Sequence, residues 1–166
     1  MDNSRRCALR RDSVRTMRTS DHVVEGATLA GLAREYFAGK GLTLRPNYCV
    51  QLGRPGCKRV HKFDLGSDIP PVLLECKSHA WSSEGKVSRD KLAIWNEVMY
   101  YFSVSPSRYR KIFLVRRSLW RGETLVEHYI KRCEHLIPAG VEIWEFESST
   151  QRAVCVYGGD SGQAAI

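Results

Sequence analysis

The stretch His61-Lys62-Phe63-Asp64-Leu65-Gly66-Ser67-Asp68-Ile69-Pro70-Pro71-Val72-Leu73-Leu74-Glu75-Cys76-Lys77 decides the fold. It predicts two short strands joined by a turn. Phe63-Asp64-Leu65 ends the first strand, Gly66, Ser67 and Asp68 with Pro70-Pro71 form the breaker cluster, and Val72 to Lys77 is an apolar run ending in charge. Side chains alternate along a strand, so Glu75 and Lys77 share one face while Leu74 and Cys76 take the other. Two acids and a lysine are thereby brought to the end of a hairpin that is otherwise apolar.

Outward from this hairpin the chain divides simply. Residues 1–20 are expected to form a basic flexible arm, in which Arg5, Arg6, Arg10, Arg11, Arg15 and Arg18 face only Asp2 and Asp12. Asp21 can cap a helix reaching Ala38, with Gly39 and Gly41 as its stop and Leu29, Leu32, Ala33 and Tyr36 as its apolar stripe. Four residues back from Leu29 that stripe reaches Glu25, which is either an inward carboxylate or part of a frayed first turn. Strands are expected over 42–52, 58–65 and 72–77, forming an antiparallel meander. A polar loop over 78–86 carries Trp81. A helix over 88–103, apolar on most sides, is expected to be largely buried. A strand over 111–115, a helix over 123–136 and a strand over 141–146 follow, and 148–166 is expected to be a loose C-terminal tail. This order implies an α/β protein with a mixed central sheet flanked by helices.

At 166 residues, with 43% hydrophobic residues, the chain suits one folded domain over 21–147. No apolar run approaches the length of a membrane span, and the N-terminus has no apolar signal core. The six cysteines are scattered without CxxC pairs, as in a reduced, cytoplasmic protein. A net charge of +8 favours partners bearing phosphate, since neutralising phosphates releases counterions, although solubility alone accounts for such a charge equally well.

Charges on a buried strand are costly unless paired or bound to metal. Asp64 and Glu75 together make a pair of hard oxygen ligands suited to Mg²⁺, and a divalent cation relieves their mutual repulsion. Lys77 beside them can orient or help deprotonate a water and stabilise charge on a phosphate. The competing interpretation makes all three exposed ion pairs on a sheet face, and Glu84-Gly85-Lys86 repeats the same spacing in a polar loop where it carries no chemistry. Cys49, Cys57, His61 and His79 match no usual zinc spacing. Gly159-Asp160-Ser161-Gly162 looks like a protease nucleophile loop, but it lies in the tail of a chain too short for that fold.

The order αβββαβ, with Phe63-Asp64-Leu65 on the second strand and Leu74-Glu75-Cys76-Lys77 on the third, resembles the PD-(D/E)XK nuclease superfamily of restriction endonucleases, junction resolvases and repair nucleases. The resemblance spans residues 21–116 and extends toward 147. It implies a restriction-endonuclease-like core and Mg²⁺-dependent hydrolysis of phosphodiesters, with Mn²⁺ as a substitute and DNA rather than RNA as the favoured substrate. Asp64, Glu75 and the main-chain carbonyl of Cys76 match the metal-holding positions, and Lys77 matches the catalytic lysine. Glu25 matches the first-helix glutamate of many members, with Glu35 as the fallback. The proline often found before the aspartate is replaced by Phe63. Trp81, Lys86, Arg89 and Lys91 follow the site and are candidates for contacting nucleic acid. Nucleases of this kind act as monomers or as homodimers, and no heptad or exposed stripe decides between them. The alternative is a non-catalytic nucleic-acid- or protein-binding module on a decayed nuclease fold.

Overall fold

The computed structural model describes residues 29–159. The first helix, α1, occupies residues 29–38. It is followed by β1 (Arg45–Leu52), β2 (Arg59–Asp68) and β3 (Pro71–Lys77). Then come α2 (Arg89–Ser103), β4 (Arg110–Arg116), a short hairpin of β5 (Leu119–Trp120) and β6 (Glu123–Thr124), and α3 (Leu125–Cys133). A 3₁₀ turn over Glu134–Leu136, β7 (Val141–Glu147) and β8 (Arg152–Tyr157) complete the described chain. Asp21, Glu25 and the basic arm lie outside the described residues.

Six strands make one mixed sheet in the order β1-β2-β3-β4-β7-β8. β1, β2 and β3 pair antiparallel, β4 lies parallel to both β3 and β7, and β8 closes the far edge antiparallel to β7. Parallel neighbours need a crossover, and α2 and α3 supply the two. Lys111 to Val115 in β4 are all buried, as expected for the central strand of a sheet covered on both faces.

Alternation along the strands divides the core. Leu73, Phe113, Val115 and Ile143 face α2 and α3, meeting Trp95, Val98, Met99 and Phe102 from the first and Leu125, Val126 and Tyr129 from the second. Leu65, Leu74, Ile112, Leu114 and Phe146 face the other way and are covered by Leu29, Ala33 and Phe37 of α1. The buried set of α2 follows i, i+3, i+4, i+7, which is one helical face rather than most of the helix. Ile94 (39% exposed) and Tyr100 (64%) lie outside it, so the expectation of a largely buried helix is corrected.

Three boundaries also differ from the sequence expectation. β2 continues through Gly66-Ser67 to Asp68, leaving Ile69-Pro70 as the whole loop. Gly66 can stay in the ladder because it has no side chain: a Cβ there would come within 2.5 Å of the Tyr48 ring. The helix expected from residue 123 begins at Leu125, where Thr124 and Glu127 form a reciprocal capping box. Residues 152–157 are not part of a loose tail but form an edge strand, placing Ala153 in the core beneath α1. Among the described residues no helix is long and apolar enough to cross a membrane.

Candidate active site

β2 and β3 are paired from Asp68/Pro71 up to Leu65/Leu74. One step further stand Asp64 and Glu75, and there the regular ladder gives way to side chains. The Cys76 N–H donates to Asp64 Oδ2 at 2.8 Å, so a carboxylate takes the place of a strand carbonyl. The Asp64 N–H in turn makes a long 3.4 Å contact with Glu75 Oε2. Lys77 Nζ sits 2.5 Å from Glu75 Oε1, as the shared face of residues 75 and 77 requires. Asp64, Glu75 and Lys77 are thus brought together, each partly accessible to solvent.

This environment is electrostatically tense. Burial pushes the Glu75 carboxyl above the ordinary carboxylate range; the Lys77 ammonium opposes that shift and the Asp64 charge adds to it. The sign for stability follows. The folded state holds the Glu75 proton more tightly than the unfolded chain, so the contribution of this group is complete below the ordinary carboxylate pKa and declines as pH rises through the raised value. Glu75→Gln, which cannot ionise, is therefore expected to gain stability relative to the native chain between about pH 4 and about pH 7. Urea unfolding of both proteins at the two pH values measures this, and an unchanged difference would contradict it.

A second layer comes from β2 and α2. The His61 ring stacks on Tyr101 at 3.8 Å and meets Phe63 edge-on at 4.7 Å. The Tyr101 hydroxyl donates to Glu97 Oε1 at 3.1 Å. Burial lowers the His61 pKa; Glu97 opposes the shift, Lys77 adds to it and Asp64 opposes it, so the ring shares its field with the acids. Sequence spacing cannot place Glu97 and Tyr101 here because they arrive on a helix more than twenty residues downstream. His61 is adjacent in sequence, but its only signal was a poor zinc pattern.

The remaining candidates lie elsewhere. The Cys76 thiol is turned into the α1 core and pushed well up by burial, leaving the main chain as that residue's sole means of reaching the acids. Glu25 is outside the described residues. Glu35 is exposed on α1, which covers the opposite sheet face from Glu75. Trp81 is half-buried, packed against the α2/α3 core and edge-on to His128 at 4.9 Å, a seat beneath the loop rather than a free stacking platform. Lys91 Nζ donates to the Ala80 carbonyl at 3.1 Å and fastens that loop to α2. Lys86 pairs with Glu84 at 2.7 Å, both exposed, and Arg89 is exposed.

Among the described residues no group of three or more His, Cys, Asp and Glu could hold a metal. Asp64 and Glu75 therefore supply two carboxylates. Two carboxylates are too few for a structural zinc centre, whereas Mg²⁺ can bind through one or two and keep several waters. Compared with known proteins, the chain matches no family model, and no curated protein or solved structure is significantly similar to it.

Proposed function

We propose that the protein is a Mg²⁺-dependent nuclease of the PD-(D/E)XK type that hydrolyses phosphodiester bonds in DNA. The observation carrying this is the meeting of Asp64 with the Glu75–Lys77 pair at the point where side chains replace the β2–β3 ladder. The element order adds support: a helix, three antiparallel strands, a helix and a strand parallel to the third is the arrangement that the resemblance implies.

In this proposal Asp64, Glu75 and the Cys76 carbonyl hold the cation. When bound, the cation supplies a polarised phosphoryl oxygen and a water of lowered pKa. Glu75 must be ionised for this, and the Lys77 ammonium favours that form, opposing without cancelling the upward push of burial. The Lys77 ammonium, on the same strand face, is placed to orient the attacking water and to offset charge developing on the phosphate. Asp64 is held in place by its bond from the Cys76 N–H, so one of its oxygens is fixed by the backbone itself.

One observation favours the second reading, a binding module without catalysis: the Lys77–Glu75 pair already satisfies itself at 2.5 Å. The two are separated by incubating the purified chain with plasmid, single-stranded and branched DNA, and with RNA, in Mg²⁺, Mn²⁺ or EDTA. Cleavage that requires the cation and disappears in Asp64→Asn and Glu75→Gln is expected. Salt-sensitive DNA binding without any cutting would leave the binding module instead.

A further inference from the structure

The β2–β3 hairpin carries a second polar cluster at its closed end. Asp68 ends β2 opposite Pro71, four residues from Asp64 and so about 13 Å along the strand. An open groove of about 550 Å³ lies there, bounded by β1, Asp68 and the segment joining α2 to β4. Tyr48 and Tyr109 form its floor, 7% and 5% exposed, with their hydroxyl oxygens 3.3 Å apart. Arg45, Lys58 and Arg108 line it with them.

The hydrogen bonds in this groove leave donors in excess. Tyr48 has one hydroxyl proton and donates it to Asp68 Oδ1. Arg45 Nη2 donates to the other oxygen, Oδ2, at 2.5 Å. Both oxygens of the carboxylate are therefore engaged, and these partners hold Asp68 below the usual carboxylate range. Arg108 Nη2 donates to the Tyr109 hydroxyl at 3.0 Å, so the proton of Tyr109 is left for the 3.3 Å contact with Tyr48 or for another acceptor. For O–H···O a 3.3 Å separation is beyond the usual range, and little is lost by redirecting it. The further N–H groups of both guanidiniums and the Lys58 ammonium add to this surplus.

Geometry narrows the acceptor. Arg45 lies over the Tyr48 ring at 5.1 Å and Arg108 over the Tyr109 ring at 4.6 Å, so both guanidiniums rest on the aromatic floor of the groove. The donors come from β1, from the β1–β2 connection and from the segment before β4, approaching from several directions. Such a set suits a tetrahedral anion with several oxygens better than a planar carboxylate. Three cations face one saturated anion.

We propose that this groove is a phosphate-binding site, in which Arg45, Arg108, Lys58 and the Tyr109 hydroxyl hold a phosphate group. The group belongs either to a small phosphomonoester or to a nucleic-acid strand, and the site stands whether or not the acids at the other end of the hairpin are catalytic.

The test uses the full chain in EDTA. Inorganic phosphate and a deoxynucleoside monophosphate are titrated by calorimetry, and a fluorescent single-stranded oligonucleotide, with and without a 5′-phosphate, by anisotropy. Arg45→Gln combined with Arg108→Gln is expected to weaken binding at least tenfold, while Arg152→Gln, an exposed arginine on β8 at the opposite edge of the sheet, leaves it unchanged. Binding of the monophosphate, or dependence on the 5′-phosphate, assigns the groove to a monoester. Binding of the oligonucleotide alone, with a salt slope lowered by about two in the double variant, assigns it to the backbone. Should the double variant not fold, Tyr109→Phe and Arg108→Lys decide, each expected to weaken binding severalfold at an unchanged melting temperature. No binding of any probe, or native affinity in these variants, overturns the proposal.

Discussion

Lys77→Ala is expected to lower kcat for Mg²⁺-dependent DNA cleavage by about a hundred- to ten-thousand-fold while leaving the fold intact. Two losses combine. The ammonium that offsets charge on the phosphate is gone, and so is the cation that opposes the upward shift of Glu75. With burial and Asp64 left unopposed, Glu75 holds its proton to higher pH and its affinity for the divalent cation near neutrality falls. The two effects separate experimentally. Raising Mg²⁺ and pH restores the second and not the first, so a residual deficit at saturating cation measures the direct role of the ammonium. Circular dichroism is expected to be unchanged, since Glu75 can take up a proton instead of remaining an unpaired buried charge. Undiminished cleavage by Lys77→Ala would remove Lys77 from the mechanism, and with it the proposed PD-(D/E)XK type.

The second large effect concerns stability. Trp95→Ala is expected to cost about 3–5 kcal/mol in urea unfolding, set against a total of roughly 5–15 kcal/mol for a domain of ordinary stability. Trp95 is fully buried in the core between the sheet and α2 and α3. Its ring meets Phe113 of β4 at 5.2 Å and Tyr129 of α3 at 5.0 Å, both edge-on, and truncation leaves a cavity where two helices meet the sheet. Its Nε1 donates to His79 Nδ1 at 2.9 Å, which fixes the imidazole in the Nε2–H form and anchors the chain two residues after Lys77. Trp95→Phe keeps most of the packing and loses this anchor. It is expected to cost less stability than the alanine variant, yet still reduce cleavage through a less firmly held Lys77. A melting temperature unaffected by Trp95→Ala would contradict the packing described here.

The strands and helices were legible where one residue pattern decides one element. Val72-Leu73-Leu74 and Ile112-Phe113-Leu114-Val115 are apolar runs too short for helices, and both are central strands. Glu75 and Lys77 were placed on a common face by period alone, and their 2.5 Å contact follows from it. The sequence was less informative where a boundary depends on a partner. Gly66-Ser67-Asp68 has turn composition, but Tyr48 from the neighbouring strand covers Gly66 and keeps the segment in the sheet. β8 escaped notice because its exposed Val154 and Val156 and its small Ala153 carry little contrast, and its pairing with β7 supplies what the pattern lacks. Thr124-x-x-Glu127 was a readable capping signal that would have set the start of α3 correctly. The Tyr48–Asp68–Tyr109 cluster had no such signal, because its members come from three separate segments joined only by folding.

The bond between Asp64 Oδ2 and the Cys76 amide has a consequence for how the protein reports its own state. One carboxylate rivets two strands and, in the proposed nuclease, would also hold the cation, so it cannot change its allegiance silently. Protonating Asp64, or drawing its charge toward a cation, weakens its hold on that amide, so the Cys76 proton becomes a built-in gauge for solvent hydrogen exchange. The instant of ligation and the loosening of the strand junction are thereby one event read at a single backbone position.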